Sequence, residues 1–330
     1  MKQRQAFILI GLLVLACFAA LLSLTVGSTA IPLHDLLCGL VGKEGYETPR
    51  LILTAIRLPR LLGAILAGVG LSLSGTLLQS TLSNDLASPN TVGVNAGAGL
   101  FVILCLALFP TLSTALPLFA FCGAFLTALL ILGLARRMGS SKATVILAGI
   151  ACTTLFQSLI SLISIADTDI LISYNAFSVG SLSLLRMEQL ILPTFLIALC
   201  LLLAIALSAR IEALSLGDAI ASSLGIRVGA LRASALLIAS LSAAAVVSFA
   251  GLLGFVGLIV PHLSKKLVGG SLRLRIITAP MIGAIVVILS DLLGRVLFYP
   301  SEIPVGVIMS LLGAPFFLFL LLSRRSKYHA

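Results

Sequence analysis

The chain has 330 residues, of which 60% are hydrophobic and only 10% charged, with a formal charge of +10. Soluble domains carry roughly 25% charged residues, so this composition excludes a soluble enzyme or binding module and is that of a membrane protein. The positive charge reads as a topology signal and as attraction to an anionic leaflet, not as nucleic-acid binding.

Apolar windows near the ~20-residue length that crosses a bilayer fall at 6–26, 58–80, 92–110, 115–135, 142–165, 190–209, 230–250, 252–268, 276–298 and 304–323. The expected fold is all-α: a polytopic membrane protein of about ten transmembrane helices, one transmembrane domain over 1–330. With the N-terminus inside, only six of the 21 Lys and Arg fall outside, namely Lys43, Arg50, Arg57, Arg60, Arg186 and Arg295. That asymmetry places both termini in the cytoplasm.

The basic head and first apolar run have the outline of a signal peptide, but the run is long enough to span and is taken as the first helix. Arg57 and Arg60 lie three apart at the expected start of the second helix, where cations are disfavoured. Two readings stand: the pair snorkels to lipid phosphates, or it meets an acidic partner. Thr81 to Thr91 forms a polar turn. In the fifth window Thr154, Gln157, Ser158 and Ser161 share one helical face, which either bonds to neighbouring helices or lines a wet cavity.

Between the sixth and seventh windows, Ser215 and Asp218 have capping-box spacing, Ile220 and Leu224 share a face, and Gly225 is placed as a C-terminal cap. A surface helix of about ten residues at 215–225 is expected. Gly251, Gly254 and Gly257 recur every third residue, a stripe suited to close helix packing. Asp291 and Arg295 are spaced for an ion pair. His262 stands alone, and the six cysteines form no C-x-x-C, so no metal site or disulfide framework is expected.

Several phrases resemble one family in order along the chain. They are R-L-P-R at Arg57 to Arg60, L-S-G-T-L-L-Q at Leu73 to Gln79, N-D-L-A-S-P at Asn84 to Pro89, S-L-G-D-A-I-A-S-S-L-G at Ser215 to Gly225, G-F-V-G-L-I-V-P-H at Gly254 to His262, S-D-L-L-G-R at Ser290 to Arg295, and E-I-P-V-G-V at Glu302 to Val307. Together they are similar to the FecCD-type permeases, the membrane subunits of ABC importers for iron chelates, haem and cobalamin. The resemblance departs at Asp85, where the family has proline, and in the absence of any tryptophan.

The resemblance implies that Arg57, Arg60 and Arg295 belong to an outer surface that docks a substrate-binding protein. It implies that Ser215, Gly217, Asp218, Ile220, Leu224 and Gly225 form the helix that couples to an ATPase, and that the fifth helix, with Thr154, Gln157, Ser158 and Ser161, lines the translocation path. The partners implied are a second permease subunit, two ABC ATPase subunits, an extracytoplasmic binding protein and the lipid of a prokaryotic cytoplasmic membrane. No catalytic residue and no cofactor are expected on this chain. It has no G-x-x-x-x-G-K-[ST], so ATP and Mg belong to the ATPase partner. The expected cargo is an iron(III)-siderophore-type chelate, with haem or cobalamin as alternatives. A secondary transporter is the competing class; it calls for ionisable residues at the membrane midplane, and Asp291 near a helix end is the nearest to one.

Overall fold

The computed structural model describes residues 2–27, 45–137, 141–269 and 271–325, together with 32, 34, 35, 38, 41 and 43. Each of the ten apolar windows holds a helix. The first is α1 (Lys2–Thr25). The second begins earlier than its apolar core: α2 (Glu47–Ile52) passes through a π turn at Leu53–Arg57 into α3 (Leu58–Leu82), one rod of 36 residues. Arg57 and Arg60 therefore lie well inside a helix, not in its first turn, and the helix-dipole penalty expected for them does not arise.

Then come α4 (Val94–Leu108), α5 (Leu116–Arg137) and α6 (Lys142–Ala166). Between the fifth and sixth apolar windows the chain adds α7 (Thr168–Val179), capped by Asp167 accepting from the Asp169 amide at 2.8 Å. The chain continues through α8 (Met187–Leu214), the short α9 (Asp218–Ser223), α10 (Val228–Ala250), α11 (Val256–Val268), α12 (Leu272–Val296) and α13 (Val305–Arg325). Seven helical stretches are long and apolar enough to cross a membrane, and α4 and Val305–Phe319 are shorter apolar pieces. No β-strand occurs among the described residues.

Helices α3, α10 and α12 form the centre and α1, α6 and α8 the periphery: the spanning windows of the first three are 78%, 72% and 67% buried, those of the last three 11%, 17% and 28%. Small residues let the central backbones touch. A Cβ on Gly68 would collide with the Gly283 carbonyl of α12, and one on Gly75 with the Gly257 carbonyl of α11. The Ser242 hydroxyl of α10 donates to the Gly70 carbonyl at 2.9 Å. In lipid, where apolar side chains gain little by leaving the solvent, such contacts hold helices together.

The expected glycine stripe is not helical throughout. Residues 251–255 break the helix between α10 and α11, with Gly251 at φ +71° and Phe255 at φ +64°. Only Gly257 of the three glycines packs as the spacing suggests, against α3. Backbone groups freed at such a break must be satisfied within the protein. Here the Ser181 amide donates to the Ala250 carbonyl (3.0 Å), the Leu252 amide to the Phe177 carbonyl (3.4 Å), and the Gly306 amide, opening α13, to the Gly180 carbonyl (3.2 Å). Three interruptions, after α7, after α10 and before α13, thus complete one another.

Candidate functional site

At one end of the bundle the sequence brings three arginines together. The Arg60 Nε donates to both Asp291 oxygens at 2.9 and 3.0 Å, and its Nη1 to Glu302 Oε2 at 2.7 Å. Arg295 Nε lies 3.2 Å from Asp291 Oδ2, and its other nitrogens donate to the Ser23 hydroxyl (2.7 Å), the Ser23 carbonyl (3.1 Å) and the Val26 carbonyl (3.3 Å). Arg57 donates to the Leu24 carbonyl.

The cluster ties α1, α3, α12 and the turn before α13. Its guanidinium groups are turned inward: Arg57, Arg60 and Arg295 are all buried, and Glu302 is the partly exposed member. An unpaired guanidinium at membrane depth would cost far more than one held by two carboxylates. The Asp291–Arg295 pair is the one the i,i+4 spacing suggested. Asp291 and Glu302 as partners of Arg60, 231 and 242 residues away, have no local signal.

The opposite end holds the helix expected at 215–225. It is shorter than the spacing suggested, six residues from Asp218 to Ser223, and the capping box does not form. Ser215 ends α8, its hydroxyl donating to the Glu212 carbonyl at 2.6 Å. Asp218 accepts from Arg232 Nη2 at 2.7 and 2.9 Å, which ties α9 to α10. That hydrogen bond holds the Asp218 carboxyl below the usual carboxylate range. Gly225 does cap the helix. At φ +76° it donates to the Ser222 carbonyl at 3.0 Å while the Ile226 amide reaches the Ala221 carbonyl at 3.2 Å, a Schellman motif. Gly217 opens the helix at φ +111°. Leu216, Ile220 and Leu224 are left exposed, at 61%, 50% and 62%, an apolar tip on an otherwise polar surface.

Further polar ties hold this end together. Lys265 reaches Asp85 at 3.2 Å, Lys142 donates to the Ser83 hydroxyl at 2.8 Å, and the Leu272 amide to Glu212 at 3.3 Å. Asp85 thus gains a partner that a proline could not offer. The directions of α1 and α13 bring residues 2 and 325 to this same end. Lys327 of the topology argument lies outside the described residues.

Along the side of the bundle, Thr154, Gln157, Ser158 and Ser161 line an open depression of about 610 Å³ with Thr153, Leu162 and Ile165. The Thr154 and Ser158 hydroxyls donate to the carbonyls of Ile150 and Thr154, each at 3.0 Å, so they bond within α6 and not to a neighbouring helix. α6 thereby differs from the other outlying helices. The exposed face of α8 is Ile191, Leu192, Phe195, Leu202 and Leu203, and that of α1 is Phe7, Ile10, Leu13, Val14 and Phe18. α6 also exposes Leu147, Ile150, Leu155, Leu159, Leu162 and Ile165, so its outward side interleaves polar and apolar groups where those of α1 and α8 are mainly apolar. Among the described residues no three His, Cys, Asp or Glu converge as a metal site.

The chain is 33% identical to the iron(3+)-hydroxamate import system permease protein FhuB of Bacillus subtilis (strain 168), over 97% of this chain and 83% of that one. It is 34% identical to the hemin transport system permease protein HmuU of Yersinia pestis, over 82% of this chain and 83% of that one. Among solved structures it superimposes, with a TM-score of 0.87 and 29% identity over 96% of this chain and 99% of that one, on an inward-facing ABC transporter assigned to the metal-chelate type. The model of the FecCD transport family matches residues 12–323, and the chain belongs to that family.

Proposed function

We propose that this chain is the permease subunit of an ATP-driven ABC importer that carries an iron(III)-siderophore-type chelate across a prokaryotic cytoplasmic membrane. The observation that carries the reading is the run of Thr154, Gln157, Ser158 and Ser161 exposed among apolar neighbours on α6, on the flank of a bundle whose other outlying helices expose mainly apolar residues. A second permease subunit facing it would enclose a wet path lined by Thr154, Gln157, Ser158 and Ser161. The end holding α9 and both chain termini faces the cytoplasm, and the apolar tip at Leu216, Ile220 and Leu224 seats on an ATPase subunit. ATP and Mg act there, on the partner.

The arginine end faces outward and receives a loaded binding protein. Arg57, Arg60 and Arg295 against Asp291 and Glu302 leave a net charge of +1, which favours an acidic partner. The arginines contribute through this field and by holding the docking surface in shape. An iron chelate needs no metal ligands from the path, because the chelator supplies them. Similarity to a hemin permease gives haem as the second cargo. A secondary transporter is disfavoured because Asp291 is consumed by two arginines at a helix end.

Purification from native membrane in mild detergent, followed by mass spectrometry of bound subunits and small molecules, tests this. A co-purifying P-loop ATPase and an iron chelate are expected. Haem would move the cargo to the second reading, and reproducible absence of any ATPase would overturn the importer.

A further inference from the structure

At the α9 end a cavity of about 500 Å³ opens between the last turns of α8 and the first turns of α10. Arg210, from α8, and Arg227, at the start of α10, line the part nearest α9 together with Leu224, and Leu207, Leu231 and Ser234 line the part farther along the two helices. Both arginines are exposed, and neither side chain makes a hydrogen bond or ion pair with any described residue. This sets them apart from Arg57, Arg60, Arg232 and Arg295, which are all engaged. No Asp or Glu lines the cavity, so two positive groups converge on it without a counter-charge.

Depth gives the second half of the argument. Leu207 lies three residues before Arg210 in α8 and Ser234, exposed to the groove, seven beyond Arg227 in α10, about 4.5 and 10 Å farther from the α9 end along the helix axes at the helical rise. The mouth is cationic and the interior mainly apolar. Leu199 and Leu203, exposed on α8, continue the stripe that ends at Arg210. A groove that is charged at the membrane surface and greasy below it matches an amphiphile with an anionic head. Leu216 and Ile220, the other exposed apolar residues beside it, lie outside the lining.

We propose that this cavity is a binding site for one anionic phospholipid, its phosphate between Arg210 and Arg227 and an acyl chain along Leu207, Leu203 and Leu199. The site rests on the topology given above only for its leaflet, the one facing the cytoplasm. Because it adjoins the C-terminal cap of α9, an occupied site braces the junction of α8, α9 and α10.

The full chain, purified in mild detergent, is titrated separately with phosphatidylglycerol and phosphatidylcholine, and retained lipid is counted by native mass spectrometry. The wild type is expected to retain phosphatidylglycerol preferentially. The R210Q/R227Q variant is expected to lose that retention by at least about tenfold, as two interfacial arginines imply, with lipid-free thermal unfolding unchanged. A second variant, Ser234→Trp, fills the cavity with both arginines intact and is expected to lose it too, which keeps the test decisive if the first variant fails to fold. Equal retention of the two lipids, or undiminished retention in the folded variants, overturns the site. Displacement of phosphatidylglycerol by millimolar inorganic phosphate overturns it in favour of a free-anion site. The lipid count is read on the chain alone, so a missing ATPase would sink the importer reading without touching this one. Protease access to a C-terminal tag in sealed vesicles of known orientation reads the leaflet independently.

Discussion

Asp291→Asn is the sharpest probe of the arginine end, because it removes one charge at nearly constant volume. An ion pair in water is worth about 0–1 kcal/mol, whereas removing one partner of a buried pair costs about 3–5 kcal/mol. The side chains of Asp291, Arg60 and Arg295 are 2%, 8% and 5% exposed, so the second regime applies. Two contacts soften the loss: Arg60 keeps Glu302 at 2.7 Å, and Arg295 keeps its bonds to Ser23 and Val26. The expected cost is therefore at the lower end, about 3 kcal/mol, or roughly a hundredfold in the unfolding equilibrium. Having no tryptophan but six cysteines, the chain is best followed by a thiol-reactive dye as Cys105, Cys152 and Cys200, all buried, become accessible in mixed micelles of rising denaturing detergent. Glu302→Gln, at a side chain 30% exposed, should cost no more than about 1 kcal/mol. If Asp291→Asn cost as little, the cluster would be an ordinary wet surface pair, and the account of its burial would fail.

Gly68→Ala pushes a methyl into the Gly283 carbonyl and should destabilise by about 1–3 kcal/mol in the same assay. Gly11→Ala, with nothing within 4 Å, should not; equal effects would refute the close α3–α12 approach. Asp218 has its folded-state pKa lowered by Arg232, so its contribution is present above the ordinary carboxylate value of about 3.9 and is lost as pH falls through the lowered one. Amide exchange across 218–226 should then be slowed equally from about pH 5 to 8, after correction for intrinsic rates, with Asp218→Asn faster throughout. Loosening of the wild type within that window would contradict the assignment. Gln157→Leu, at an exposed position on α6, should change the chain's own stability by less than about 0.5 kcal/mol yet lower transport in reconstituted vesicles; full transport would remove Gln157 from the path.

The helices were legible because each spanning segment must satisfy its own backbone in lipid, which forces long uninterrupted apolar runs. What escaped depended on contacts distant in sequence. Glu47 to Ile56 mixes Glu, Thr, Pro and Arg with apolar residues and lies ahead of the apolar window that opens at 58, yet with Arg57 it adds three turns to the front of α3. Thr168 to Val179 likewise lies between apolar windows, although Asp167 ahead of it is an N-cap signal that could have been used. At Ser215 the local spacing pointed to a capping box, but Arg232, fourteen residues beyond Asp218, offers that carboxylate a charged partner and wins. The face carrying Thr154, Gln157, Ser158 and Ser161 was readable from helical spacing alone. Its position on the outside of the bundle was not, because periodicity gives a face without saying what it looks at.

The break at 251–255 also sets rotational phase. Each residue added to or removed from a helix turns everything beyond it by about 100°, and the segment leads directly into α11. A single insertion there would swing Gly257 off the α3 backbone and carry Ser264 away from Thr278, which it now meets at 2.5 Å. Gly254, with nothing within 4 Å of a built Cβ, can change its side chain freely. The segment therefore tolerates new letters but not a new length, a distinction that a scan of single insertions against substitutions at Gly254 would expose.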